Sequence, residues 1–420
     1  MKLKVLITLL AATCSLDGNC TSQKFFHTSH ESALRQASAG LQGETDEPMS
    51  EVIERALTRA HRQAQILADS MERHKKRLPK TFERGRLRTC DYGDWVSGFF
   101  PGTLWMLGEH FADTAMLSEA RRITARVEPA KRLKNTHDLG FMLNCSFGHA
   151  YRITGETYYL DVLREGAQSL LTRWNGRVGA LKSWNTNRRW QYPVIIDNMM
   201  NLEFLCFIAR ETGDKWPRKV ATKHANTTLR NHFRRDYSTY HVVSYDTITG
   251  RPHAKNTAQG CNDSSAWARG QSWGLYGYTM MYRQTHKAKY LRQARRIASF
   301  LVSHPRLPAD KVPYWDYDAP GIPNAKRDAS AAAIMASALI ELSQLDKGPR
   351  AAEWLAVAEK QLRTLSSSTY LAEEGEQAGF ILRHSVGHLP GGWEVDVPLT
   401  YADYYYVEAL LRLQKIIGAH

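Results

Sequence analysis

Residues 150–171 read AYRITGETYYLDVLREGAQSLL: a helix-like segment, a Thr-Gly stop, and aromatics opening a second helix-like segment. Glycine just past the last periodic residue is the usual helix stop, because it adopts the left-handed backbone without penalty. The same plan recurs in CFIARETGDKWPRKVATKHANTTL (206–229) and MMYRQTHKAKYLRQARRIASFL (280–301), with Thr-His replacing Thr-Gly in the latter. ALIELSQLDKGPRAAEWLAVAEKQL (338–362) is a looser fourth copy. Each copy is a helical hairpin, and repeated hairpins mean a repeat architecture. With the segments around 98–136 and 401–417, the chain carries roughly twelve helices.

Two architectures suit that count. One is a closed toroid of six hairpins, and the other is an open solenoid of stacked helix pairs. Long interrupting loops at about 177–196, 234–263, 305–328 and 367–400 are rich in Trp, Tyr, Pro, Gly and Asp. Loops of that length in a compact domain are usually functional. Gathered at one end of a toroid, they would form a cleft at its mouth.

Composition narrows the class. The 420 residues are 43% hydrophobic and 10% aromatic, enough for a large core and against disorder. The start, MKLKVLITLLAATC, has two Lys and a short apolar run and reads as an export signal over 1–20. Cys14 after Ala11-Ala12-Thr13 loosely resembles a bacterial lipoprotein cleavage site. The expected location is therefore the periplasm, or the membrane surface through a lipid anchor. Residues 21–49 read as a polar linker, and 50–420 as one domain. Net charge is +14; removing residues 1–20 takes away Lys2, Lys4 and Asp17 and leaves +13. In an exported protein that excess argues for an anionic polymer or its fragments, not nucleic acid. The six Cys are widely spaced without a CxxC pair, so neither a metal cluster nor a disulfide framework is expected, and Cys145 and Cys206 read as core residues. HExxH, Walker, GxSxG and GxGxxG patterns are missing from the sequence, which weakens zinc-protease, nucleotide-dependent and serine-hydrolase readings.

Two carboxylates stand where apolar helices begin. Asp197 interrupts VIIDNMMNL (194–202), and Asp138 follows His137 in NTHDLGF (135–141). Each fits a helix cap or a satisfied structural carboxylate. As a pair they also fit a general acid and its partner, because apolar surroundings hold a carboxyl protonated near neutrality. SSAWARGQSWGLYGY (264–278) sets Trp267, Arg269, Gln271 and Trp273 close together. Indoles stack on sugar rings and Arg grips carboxylates, although a Trp-rich core helix would look the same. A buried Arg there would need an anionic partner. Trp95 in GDWVSGFFPGTLW (93–105), His241 in YHVVSYD (240–246) and Gln259 in NTAQGCND (256–263) are weaker candidates.

In order along residues 90–417, the segments GDWVSGFFPG, HDLGF, IIDNMMNL, HVVSYD, SSAWARGQSWGLYGY, WDYDAPGIPNAKRDASAAAI and TYADYYYVEAL resemble the unsaturated glucuronyl hydrolases, glycoside hydrolase family 88. The resemblance implies an (α/α)6 toroid that works without a cofactor. It implies removal of the 4,5-unsaturated uronic acid that lyases leave at the non-reducing end of oligosaccharides. By the same resemblance, Asp197 is the general acid/base and Asp138 the second essential carboxylate. Trp95, His137, His241, Gln259, Trp267, Arg269 and Trp273 match substrate-binding positions, while Trp184 sits in a loop that aligns less well. The late loop ILRHSVGHLPGGWEVDVP (381–398) offers Arg383, His384, Ser385 and His388 to a sulfate on the next sugar, which makes glycosaminoglycan fragments the favoured substrates. Two alternatives stay open: the related unsaturated rhamnogalacturonyl hydrolases, and a non-catalytic surface protein that binds anionic glycans.

Overall fold

The computed structural model describes residues 47–418. The expected export signal, Cys14 and most of the polar linker lie outside the described residues. From Pro48 onward the chain forms one compact unit. Twelve α-helices are described: α1 Met49–Glu72, α2 Phe99–His110, α3 Thr114–Thr124, α4 His149–Thr154, α5 Thr157–Leu171 and α6 Asn198–Thr212, then α7 Lys215–Asn231, α8 Ala268–Thr285, α9 Ala288–Val302, α10 Ala329–Leu345, α11 Ala351–Leu365 and α12 Thr400–Ile417. A π-helical stretch, Gly140–Gly148, runs straight into α4.

The stops are where the sequence puts them. Gly155, Gly213 and His286 end α4, α6 and α8 in the left-handed conformation, with φ of 69°, 75° and 53°. The first helix of each hairpin is an inner wall. In α8 every residue from Ala268 to Met281 is buried, and α10 is buried from Ala329 to Ile340, as expected of helices surrounded on all sides. The second helices are amphipathic; α9 buries Tyr290, Gln293, Ala294, Ile297, Ala298 and Leu301 at three- and four-residue spacing.

Ring closure excludes the open solenoid. The inner helices pack in sequence, α2 on the π-helix, the π-helix on α6, then α8, α10 and α12, and α12 packs back on α2. The sixth hairpin is made by the two ends of the domain, with α1 against the outside of α12. The chain is therefore a six-hairpin (α/α)6 toroid.

Between α1 and α2 the chain leaves the helical pattern: Leu78–Glu83 (β1) pairs antiparallel with Arg86–Cys90 (β2). The long loops carry small sheets of their own. Trp174–Asn175 (β3) pairs with Ala180–Leu181 (β4), and Pro193–Ile195 (β5), Val242–Tyr245 (β6) and Pro252–Asn256 (β7) form a three-stranded sheet. Ser385–His388 (β8) pairs with Trp393–Val397 (β9). Cys90, Cys145 and Cys206 are buried free thiols. No described helix is long and apolar enough to cross a membrane.

The inner ring is tight where α2 begins. A Cβ on Gly98 would stand 2.1 Å from the Met142 carbonyl oxygen and 2.3 Å from that of Phe141, both backbone atoms of the π-helix. Gly98→Ala should therefore cost about 1–3 kcal/mol through overpacking, read as a lowered midpoint in thermal denaturation. An unchanged midpoint would contradict this packing.

Candidate active site

Each hairpin's inner helix starts at the same end of the ring, and the candidate residues are those helix starts. Trp95 precedes α2, Asp138 precedes the π-helix, Asp197 precedes α6, and Arg269 lies in the first turn of α8. Together with the loops they enclose a cavity of about 260 Å³, lined by Trp95, His137, Asp138, Trp184, Ile195, Asp197, Ala258, Gln259, Arg269, His388 and Trp393. A larger cavity of about 480 Å³ surrounds the opposite turns of the inner helices. Its carboxylates are engaged by the ring itself, Glu203 with Arg283 at 2.7 Å and Glu408 with Ser337 at 2.5 Å and Tyr276 at 3.0 Å.

Asp197 occupies the N-cap position of α6, yet its side chain makes no capping hydrogen bond. The helix-cap reading is set aside on that ground. The residue is 8% exposed, and its Oδ2 accepts no hydrogen bond. Burial pushes its pKa up to about 7, against the pull of the Arg269 guanidinium and with the help of Asp138. The apolar wall comes from its own segment: Ile195, Ile196, Met199 and Met200 are all buried.

His241 Nε2 lies 3.6 Å from Asp197 Oδ2. Its Nδ1 accepts from the backbone N–H groups of Ala258 and Gln259, both at 3.2 Å, which fixes the proton on Nε2, facing the acid. Burial and the Arg269 charge hold His241 neutral. The ring packs against Trp267 at 4.4 Å between centroids, the planes tilted by 36°.

Asp138 is 9% exposed and its Oδ2 accepts from Thr136 Oγ1 at 2.8 Å, while His137 Nε2 sits 3.2 Å from Oδ1. Burial lowers the His137 pKa, so this neighbour too is a neutral ring at neutral pH. The two acids are structurally coupled. Asn201, one turn into α6, accepts from the Phe141 N–H at 3.0 Å and packs against Gly140 too closely for a side chain there.

Arg269 finds the anionic partner that its burial requires. Its Nη1 donates to Asp328 Oδ2 at 3.2 Å and to the Val386 carbonyl, and its Nη2 donates to the Gly387 carbonyl at 2.7 Å. Asp328 also caps α10 by accepting from Ser330 N at 3.0 Å. Gln259 Nε2 donates to the same Gly387 carbonyl at 3.0 Å.

Several sequence-based placements change. Trp95, His137, Gln259, Arg269 and His388 line the cavity, as does Trp184, whose loop aligned poorly. Trp267 and His241 stand behind the wall, packed against each other. Trp273 is fully buried, wedged against Phe141 at 5.1 Å and Tyr405 at 5.4 Å, so no sugar can reach its face. Gln271 likewise serves the interior, accepting from Thr239 N at 2.8 Å. Of the residues expected to receive a sulfate, only His388 reaches the wall. Ser385 is buried; Arg383 is ion-paired with Glu376 and donates to the Ser368 carbonyl; His384 is bound to Asp396 at 2.6 Å. The sequence reading missed Trp393. Its signal was the Pro-Gly-Gly turn before WEVDV, which marks a hairpin strand with an outward-facing Trp. Among the described residues, no group of three or more His, Cys, Asp or Glu side chains is set to hold a metal ion.

The raised Asp197 pKa has a thermodynamic consequence. The native state holds this proton more tightly than the unfolded chain, so stability falls as pH rises from about 4 to about 7. Asp197→Asn removes that slope. The stability difference, variant minus parent, should rise across this window by up to about 4 kcal/mol. Denaturation midpoints of both proteins between pH 4 and 8 measure it; a constant difference would contradict the assignment.

No protein-family model matches the chain. It is 46% identical over 326 residues to an unsaturated glucuronyl hydrolase of Formosa agariphila, covering 77% of this chain and 81% of that protein. The crystal structure of an unsaturated glucuronyl hydrolase specific for heparin superposes with a TM-score of 0.85 at 46% identity, over 88% of this chain and 98% of that one. A mutant of the Streptococcus agalactiae enzyme complexed with dGlcA-GalNAc6S superposes with a TM-score of 0.74 at 28% identity, over 87% and 92% of the two chains.

Proposed function

This chain belongs to the unsaturated glucuronyl hydrolases and is a glycosidase, and we propose that Asp197 drives its reaction by protonating C4 of a 4,5-unsaturated uronic acid at the non-reducing end of an oligosaccharide. The observation that carries the proposal is a buried carboxyl with a pKa of about 7 on the wall of the cavity.

The substrate's C4=C5 bond is conjugated to its carboxylate and bonded to the ring oxygen, so it is a vinyl ether. Its π electrons take the proton from Asp197 at C4, leaving an oxocarbenium-like centre at C5. The resulting Asp197 carboxylate accepts a proton from the water that adds to C5, which restores the acid. The hemiketal at C5 then opens and the glycosidic link is lost, with one water consumed. No sugar–enzyme bond forms, in contrast to the two-carboxylate retaining scheme.

The remaining residues serve this step. The starts of α2, the π-helix, α6 and α8 border the cavity and, with Arg269, favour the uronate's negative charge. Asp138, oriented by Thr136, binds sugar hydroxyls and keeps the Asp197 pKa high. His241 presents a neutral N–H to Asp197, steadying its carboxylate form while staying out of the acid role. A non-catalytic binder of polyanions would have no use for two carboxylates in its cleft.

The favoured substrates are unsaturated fragments of glycosaminoglycans, supported by a net charge of +14 and by the heparin specificity of the similar structure. With Arg383, His384 and Ser385 turned away, any sulfate on the next sugar would meet His388. Burial lowers the His388 pKa, so this ring is a neutral donor at neutral pH. Export of the protein remains part of this reading.

Unsaturated uronates absorb in the ultraviolet, so loss of absorbance reports the reaction. The parent should bleach unsaturated disaccharides from heparin, chondroitin or hyaluronan, with activity falling as pH rises through about 7. Asp197→Asn should lose at least ~10²-fold in kcat while keeping its fold. Near-parental turnover by the folded variant would overturn the proposal.

A further inference from the structure

Two aromatic walls of the cavity are tied to one ammonium. Lys80, on β1, places its Nζ 2.7 Å from Asp94 Oδ2 and 3.3 Å from Glu394 Oε1. Asp94 immediately precedes Trp95, and Glu394 immediately follows Trp393. Both indoles line the cavity. The strands that carry this bridge are joined elsewhere too: Thr81 Oγ1 donates to the Pro398 carbonyl at 2.6 Å, just past β9. Burial works against the Lys80 charge, but Glu394 and Asp94 outweigh it, and the ammonium is retained.

Trp393 is built to stay where it is. At 48% exposed, it is one of the large apolar side chains left open to solvent. Across the hairpin it pairs with His388, the ring centroids 4.7 Å apart. Gly391 leaves room beneath it, since a Cβ there would fall 2.5 Å from the indole Nε1. The next residue, Glu394, has φ of 55°, a left-handed conformation that a non-glycine residue keeps only when contacts hold it. Lys80 is such a contact. Gly387 is another: a Cβ there would stand 2.3 Å from Glu394 Oε2, so the carboxylate lies flush against the backbone whose carbonyl receives Arg269 and Gln259.

Depth assigns the ligand. Asp197 and Asp138 are buried at the reacting end, whereas Trp393 is the most exposed of the wall aromatics. A sugar with its unsaturated ring at Asp197 would carry its neighbour outward past the indole. We infer that Trp393 is the platform for the pyranose next to the unsaturated residue, and that Lys80 is the positioning residue that sets that platform. The inference rests on the reaction proposed above.

The test compares two probes, an unsaturated heparin or chondroitin disaccharide and the methyl glycoside of 4,5-unsaturated glucuronic acid, which lacks the second sugar. For Trp393→Ala, KM for the disaccharide should rise about tenfold with kcat near parental, while both constants for the methyl glycoside stay within about twofold. Trp393→Phe should recover most of the loss. Lys80→Gln should reproduce the split between probes and Lys80→Arg should restore it, a pattern that general loss of structure would not give. A Trp393→Ala enzyme whose disaccharide KM is unchanged, or whose constants shift equally for both probes, overturns this inference alone. A parent that consumes neither probe overturns the reaction and the inference with it.

Discussion

A fully buried guanidinium holds the helix ring to the loops that close over it. Arg269 begins in α8, donates to the residue that caps α10, and reaches two carbonyls of β8. Its flat face lies over Trp267 at 4.6 Å and faces Tyr401 of α12 at 5.2 Å. Removing it would strand Asp328 without a counter-charge and leave backbone acceptors unsatisfied, which is far costlier than the net worth of the pair. The same charge opposes the burial of Asp197. Burial raises the pKa of that acid and Arg269 pulls against the rise, and the balance stands at about 7, where the group can give a proton and take one.

The closed ring explains how the sequence can scatter its chemistry over three hundred residues and still assemble one cleft. Each inner helix contributes its first turn to the same end. A carboxylate, an indole or a guanidinium placed just before or after a helix start is therefore delivered to the cavity. The neutral His137 and His241 are part of the same economy of charge. Around a carboxyl that must protonate, uncharged rings give polar contact without the cation that would drive the acid to ionise.

Much of this was legible in the sequence, because it is local. The Thr-Gly stops announce Gly155 and Gly213, and the apolar run around Asp197 announces both its burial and its raised pKa. What stayed hidden depends on distance or on direction. Lys80 and Glu394 meet across 314 positions, and no spacing rule links them. Trp273 and Trp95 look equally suited to stack on a sugar in the sequence, yet Trp95 lines the cavity while Trp273 is fully buried against Phe141 and Tyr405, which come from two other helices of the ring. Direction likewise separates the residues offered to a sulfate, of which His388 alone lines the cavity. Arg383 and His384 have carboxylate partners, Glu376 and Asp396, that direct them away from the cleft.

The central claim is that one buried carboxyl is poised near neutrality. Infrared difference spectra of the parent minus Asp197→Asn, taken across pH, isolate that group from Asp403, a second buried carboxyl raised to about 7. A protonated-carboxyl band that is present at pH 6 and lost through about pH 7 is the predicted result. A band already lost by about pH 4, the ordinary range of an exposed aspartate, would contradict the account.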